Sequence, residues 1–315
     1  EKHYCHVLEK PKFADNPHSL DARRMVHSQN ISIHRRCLDS SAYARRIMEE
    51  CRSVVRFSGT VSPLSLYQRL HGQAPTEQGV AEQTSMALRA RAPFRSDQVK
   101  VLTVTDIDTL YQRRLQSLPQ LCGLIADLQR ARQGRYLVAL PSYEYLDHLS
   151  RSPDKPANFI AQSPAMDEDE QLALLKQFQQ SPAAVLGIVM GGVFAESVDL
   201  GTSTVAGVVV VSLGLPPTNL IRSLSVEYFN GAHGIGWGEQ IAYLQPAMTR
   251  VVQAAGRLIR GPRDKGVICL VDPRFADPTI AKFFPEHWQP EKMSANRVES
   301  CLKAFWSNDL SQPED

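Results

Sequence analysis

The stretch from Pro246 to Phe275 constrains this chain more than any other. Pro246 suits the first turn of a helix, where its missing N–H costs nothing. Helical stepping then places Gln253, Gly256, Arg257 and Arg260 on one face. Val251, Ala255, Leu258 and Ile259 gather on the opposite face, as packing on a core requires. Gly261-Pro262 stops the helix, and the apolar run 267–271 reads as a buried strand. Two fixed cations and an amide on one helix face can grip an anion. Arginine stays charged, and its planar fork matches phosphate oxygens. On spacing alone, a solvated basic face fits equally well.

The order of these residues adds to that. Gln253-x-x-Gly256-Arg257-x-x-Arg260, then Asp264-x-Gly266 and a strand ending Asp272-x-Arg274-Phe275, resembles motif VI of superfamily 2 DNA helicases, nearest the XPD/DinG-like branch. The resemblance implies a second RecA-like motor lobe whose helix faces ATP bound on a first lobe. Arg257 and Arg260 would contact the γ-phosphate, one as an arginine finger. Gln253 would support them, and Gly256 would lie in the same nucleotide-facing turn.

Three further stretches are similar to motifs of that family and follow its order. Ser58-Gly59-Thr60-Val61-Ser62-Pro63, after a strand expected at 53–57, resembles motif III. Its short hydroxyl side chains can bond neighbouring backbone, and Ser58 and Thr60 would lie along the DNA track. Pro141-Ser142-Tyr143, between an expected strand at 135–140 and a helix, resembles motif IV. Ser142 and Tyr143 would contact nucleic acid there, although a plain N-cap explains the pair without the family. Gly191-Gly192-Val193-Phe194-Ala195-Glu196-Ser197-Val198-Asp199-Leu200, after the apolar run 184–190, resembles motif V. Gly192, Glu196 and Asp199 would then couple the nucleotide cleft to the nucleic-acid groove. Most members of the family carry glycine where Ser197 stands, which leaves the form of that turn open. Ala92-Pro93-Phe94 resembles a short signature of the interlobe connection.

The expected fold is α/β. A RecA-like lobe with a mainly parallel sheet flanked by helices follows the end of a first RecA-like lobe. Residues 1–72 are assigned to the end of the first lobe, 73–96 to the connection and 97–315 to the second lobe. Residues 1–30 give no element. A short strand is expected at 31–33 and helices at 38–52, capped by Asp39 or Ser40, and at 64–72. Alternation predicts a strand at 98–105. Helical spacing predicts one helix over 108–133, interrupted at Pro119, with Arg113 and Arg114 on its solvated face. A strand at 158–161 and a helix at 167–180 come next. The run 205–215 should be the central strand, followed by a helix at 219–229 and a glycine-rich loop at 231–238. Short helices are expected at 280–284 and 295–306. Leu302, Phe305 and Trp306 of the last one pack down or, if exposed, dock a protein partner.

Composition bounds the rest. A net charge of +2 on 315 residues leaves any nucleic-acid affinity to local patches. No apolar run reaches the ~20 residues of a membrane span. Six cysteines are scattered without a C-x-x-C pair, which argues for reduced thiols in the cytoplasm. No four-cysteine grouping suggests an iron–sulfur cluster in this chain, and His3, Cys5 and His6 read as a polar N-terminal tail. No Gly-Lys pair occurs, so the phosphate-binding loop of an ATPase is absent. Asp167-Glu168-Asp169-Glu170 ends no apolar strand and suits a helix N-terminus better than Mg²⁺. We therefore expect a C-terminal piece of an ATP-dependent DNA helicase moving 5′ to 3′ on single-stranded or forked DNA. ATP and Mg²⁺ would be held mainly by the first lobe, and the piece alone would be inactive. The alternatives are a stand-alone nucleic-acid or partner-binding module, and a RecA-like nucleotide-binding protein unrelated to DNA.

Overall fold

The computed structural model describes residues 3–9, 32–72, 87–88, 90, 92, 94–196, 205–259, 261 and 264–307. The chain divides into two compact units, Glu1–Met86 with Thr218–Glu239, and Ala87–Pro217 with Gln240–Asp315.

The smaller unit is built on an antiparallel pair, β1 (Tyr4–Glu9) and β2 (Ser32–Cys37), in register from Tyr4 opposite Cys37 to Glu9 opposite Ser32. The expected polar tail is therefore a strand from Tyr4 onward, carrying Cys5 and His6, with His3 in the turn before it. Helices Ser41–Glu49, Leu64–Leu70 and Leu220–His233 complete the unit. Asp39 accepts the N–H of Ser41 at 2.9 Å, so Asp39 rather than Ser40 caps the first of them. The Tyr228 hydroxyl donates to Asp39 at 3.2 Å, tying the third helix to the turn after β2. The expected glycine loop at 231–238 is shorter, confined to Gly234–Gly236. Gly231 continues the helix to His233, and Gly238 lies in a further helical turn, Trp237–Glu239. Arg69 stacks on the Trp237 ring at 4.5 Å and meets His233 Nδ1 at 3.1 Å, which holds that turn in place. Residues 53–57 form no strand. Val55 and Phe57 are 84% and 93% exposed, and no strand among the described residues pairs with this stretch.

The larger unit is a seven-stranded parallel sheet in the order β5-β6-β4-β7-β8-β3-β9. Its strands are β3 (Val99–Val104), β4 (Tyr136–Leu140), β5 (Phe159–Ala161), β6 (Val185–Val189), β7 (Gly207–Val211), β8 (Gly266–Val271) and β9 (Glu291–Met293). Every residue of β4, β6, β7 and β8 is buried, which explains their continuous apolar runs: a parallel sheet is covered on both faces. The run expected to be central is central, with Val208 opposite Leu137 of β4 and Ile268 of β8. On one face, Leu121, Leu124, Ile125 and Leu128 of the Leu118–Ala131 helix join Leu302 and Trp306 of the Val298–Ser307 helix in the core. Trp306 is thus packed down, not presented to a partner. On the other face the Gln245–Ala255 helix buries Ala247, Met248, Val251, Val252, Ala254 and Ala255.

The expected helix over 108–133 begins only at Leu118. Pro119 stands in its first turn rather than breaking it. The residues before it are held as turns: Asp108 accepts the Leu110 N–H at 3.0 Å, and the Ser117 hydroxyl donates to the Asp108 carbonyl. Arg114 is not on a solvated face. It is buried, donates to Glu144 at 2.7 Å and lies over the rings of Tyr111 and Tyr145 at 4.3 and 5.0 Å.

Candidate nucleotide and nucleic-acid site

In an open parallel sheet, ligands gather at the C-terminal ends of the strands, where the connections diverge. Here the neighbours β4 and β7 send their chains to opposite sides, β4 towards β5 and β7 towards β8. Ser142 follows β4 and caps the Tyr143–Arg151 helix, accepting the Tyr145 N–H at 3.3 Å. Tyr143 stands in the first turn, 39% exposed. Its hydroxyl accepts a hydrogen bond of 2.9 Å from Nε2 of Gln162, the residue just past β5. The Arg114–Glu144 pair pins the same turn from beneath. Burial pushes the Tyr145 hydroxyl up to about 12, so it stays a neutral donor.

Beside it, β6 ends in Met190-Gly191-Gly192. Gly191 has φ +74°, a conformation glycine adopts without the Cβ penalty. A Cβ there would also stand 2.9 Å from Nε of Arg250. The Gly192 carbonyl accepts the Ala195 N–H at 2.9 Å, opening the short Val193–Glu196 helix. Arg257 Nε then donates to the Ala195 carbonyl at 2.9 Å, joining residues 62 apart in sequence. Arg250, Gln253 and Arg257 recur at helical spacing along this segment, although Arg257 lies just past the helix end. Among the described residues, the side-chain carbonyl oxygen of Gln253 is buried without a partner, and so is that of Gln162.

The arginine-bearing helix ends earlier than expected. It stops at Ala255, with Gly256 as its C-cap, so Arg257 sits in the following turn, outside the helix. The reason lies in Leu258, which leaves the helical path to bury itself over Gly266. A Cβ on Gly266 would stand 2.5 Å from its Cδ1. Arg260 and Asp199 lie outside the described residues, and of Glu196 only the helical backbone is described. Ser58 and Thr60 belong to the smaller unit. Both are accessible, and their hydroxyls are 3.2 Å apart, with the Thr60 N–H donating to Ser58 Oγ at 3.2 Å.

A third strand end is closed. Asp272, 1% exposed, follows β8 and accepts from the Thr109 hydroxyl and from the backbone N–H, Nε and Nη2 of Arg274. Arg274 also donates to Ser212 at 3.2 Å, just past β7. Hydrogen bonding to Asp272 holds the Arg274 guanidinium above its ordinary range.

Metal chemistry finds no seat among the described residues, where no three His, Cys, Asp or Glu side chains are grouped to hold an ion. The acidic run 167–170 is spent on the helix: Asp167 and Glu170 form a reciprocal capping box. Mg²⁺ therefore does not fit the described residues of this chain. Sequence reasoning missed Gln162, Arg250 and the buried role of Arg114. Each is an isolated polar residue whose partner is more than 15 positions away, so no local pattern marks it.

The family model described as the helicase C-terminal domain matches residues 125–291, more than half of the chain. The chain belongs to that family. Within it, the resemblance is to XPD/DinG-like helicases of superfamily 2. A probable ATP-dependent helicase of Methanocaldococcus jannaschii is 29% identical over 241 residues, covering 71% of this chain and 35% of that protein. The XPD helicase subunit of transcription and DNA repair factor IIH from Dictyostelium discoideum is 25% identical over 262 residues, covering 76% and 32%. The chain thus spans about a third of the length of these helicases. A solved XPD helicase structure superposes with a TM-score of 0.59 at 19% identity, over 84% of this chain and 47% of its own. That likeness shows the RecA-like fold of the parallel-sheet unit. No helix among the described residues is long and apolar enough to cross a membrane.

Proposed function

We propose that this chain carries the second motor lobe, and the end of the first, of an ATP-dependent DNA helicase that moves 5′ to 3′. Residues 1–72 close the first lobe, 73–96 connect the lobes, and 97–315 carry the second. Arg257 and Arg260 serve the γ-phosphate of ATP bound on the first lobe. Gln253 and Gly256 lie beside them, and Gly192, Glu196 and Asp199 carry the coupling to DNA. Ser142 and Tyr143, with Ser58 and Thr60, lie on the path of a single strand or fork. ATP and Mg²⁺ belong to a first-lobe surface with a phosphate-binding loop, which this sequence lacks, and an iron–sulfur cluster has no ligand set here. The six free thiols support a reducing compartment such as the cytoplasm.

The hydrogen bond from Arg257 to Ala195 carries the reading. It joins the segment resembling motif VI to the one resembling motif V, so a phosphate drawing on this turn pulls on the glycine turn as well. With Arg257 Nε committed to Ala195, the finger role falls to Arg260. Charge gathering on the transferring phosphoryl group is what such a cation stabilises, by roughly 10³–10⁵ in turnover.

The test recombines the chain with an N-terminal polypeptide that bears a phosphate-binding loop. DNA-stimulated ATP hydrolysis is expected only on recombination. It should be lost in Arg260→Ala and stay badly impaired in Arg260→Lys, which keeps the charge without the bidentate fork. Steady turnover by the chain alone, or full activity of Arg260→Ala in the recombined enzyme, sinks the proposal.

A further inference from the structure

We infer that Arg250 is a phosphate-binding side chain of this lobe, holding one backbone phosphate of the single strand at the Gly191–Gly192 turn. The inference rests on the helicase reading above and adds a residue to it.

Arg250 is partly buried, and among the described residues no hydrogen bond or ion pair engages its guanidinium. Taking a cation partly out of water without an acceptor is unfavourable, and an arginine so placed is normally paired. The sequence nevertheless makes room for it. Residue 191 has no side chain, and the Arg250 Cδ, Nε and Cζ lie 3.2, 2.9 and 3.4 Å from where a Cβ would be. The left-handed turn and the stem of Arg250 therefore fix each other. The guanidinium is seated at the C-terminal end of β6, one strand from Ser142 and Tyr143 at the end of β4.

Contrast with Arg274 isolates the signal. That arginine, three strand ends away, has its Nε and Nη2 engaged by Asp272 and Ser212. Arg250 has the same chemistry and no internal acceptor, so the acceptor it fits is external, anionic and planar-fork compatible, which a phosphate is. A strand phosphate is favoured over a nucleotide phosphate by distance. Seven residues separate Arg250 from Arg257, about 10 Å along a helix at 1.5 Å per residue. Arg250 stands at the Gly191 end of the turn, one strand from Ser142 and Tyr143, whereas Arg257 stands at its Ala195 end.

The experiment measures binding of the 315-residue chain to a fluorescent oligothymidylate across a salt series, for wild type, Arg250→Gln and Arg250→Lys. Glutamine keeps the stem that lies on Gly191 and removes the charge. One lost phosphate contact should weaken binding roughly fivefold at low salt and flatten the log–log salt slope by about 0.7. Lysine should restore most of that slope. ADP binding, followed in the same three proteins recombined with the loop-bearing polypeptide, should be the same in all of them. Independently of any variant, the oligonucleotide should shield Arg250 of the wild type from phenylglyoxal, read by mass spectrometry, and ADP should not. An unchanged slope in Arg250→Gln, or no shielding by a strand that does bind, overturns this inference and leaves the helicase reading standing. A loss confined to ADP moves Arg250 to the nucleotide and overturns it too. A wild type that binds no strand at all overturns both.

Discussion

Two strand ends of the same sheet hold an arginine in opposite ways. At β8, Asp272 is buried and bonded to Thr109 and Arg274, and Arg274 reaches on to Ser212. At β6, among the described residues, Arg250 lies on a glycine turn without an acceptor, and the side-chain carbonyl oxygens of Gln162 and Gln253 are buried without donors. The first end is a closed network that stiffens the sheet. The second carries unmet hydrogen-bonding capacity, which is costly in a fold unless something arrives to meet it. Residue type alone would rank Asp272-x-Arg274 as the more suggestive chemistry. Satisfaction of the groups reverses the ranking.

The contrast can be broken at either end. Asp272→Ala removes the hub of the closed network and leaves Arg274 and Thr109 without their acceptor. A loss of about 3–5 kcal/mol is expected in denaturant unfolding. A cost under about 1 kcal/mol would mean that water serves Arg274 equally well and that the end is not closed. Gly191→Ala forces a side chain into a left-handed turn and against Arg250, and should cost about 1–3 kcal/mol by the same measurement. The double variant Gly191→Ala with Arg250→Ala should recover the steric part only. Full recovery would show that the turn itself carries no strain.

Gln162→Met sharpens the comparison at the open end. It removes one orphan oxygen and one donor to Tyr143, so stability should change by less than about 1 kcal/mol. Oligonucleotide affinity should fall, because Tyr143 loses its orientation. Unchanged affinity would remove Tyr143 from the DNA path. Arg250→Gln should have the smallest effect on thermal unfolding, within about 0.5 kcal/mol, because no internal bond is lost. A large destabilisation would show that Arg250 is a structural residue after all.

The sequence by itself determined the inner strands of the sheet, though not its edge strand β9. Fully apolar runs at β4, β6, β7 and β8 are a local consequence of burial on both faces, and they read directly as parallel strands. Local capping was legible for the same reason: Ser142, and Asp167 with Glu170, satisfy backbone groups within three residues of themselves. Tertiary structure decided what depends on distant partners. Residues 4–9 became a strand because residues 32–37 lie beside them, while residues 53–57 pair with no strand among the described residues and stayed irregular. Arg114 went inside because Glu144, Tyr111 and Tyr145 could accept its charge. The Gln245–Ala255 helix ended a turn early because burying Leu258 over Gly266 outweighed another helical hydrogen bond. Periodicity reports which way a side chain points. Whether a buried polar group is answered or left open depends on residues that only the folded chain brings within reach.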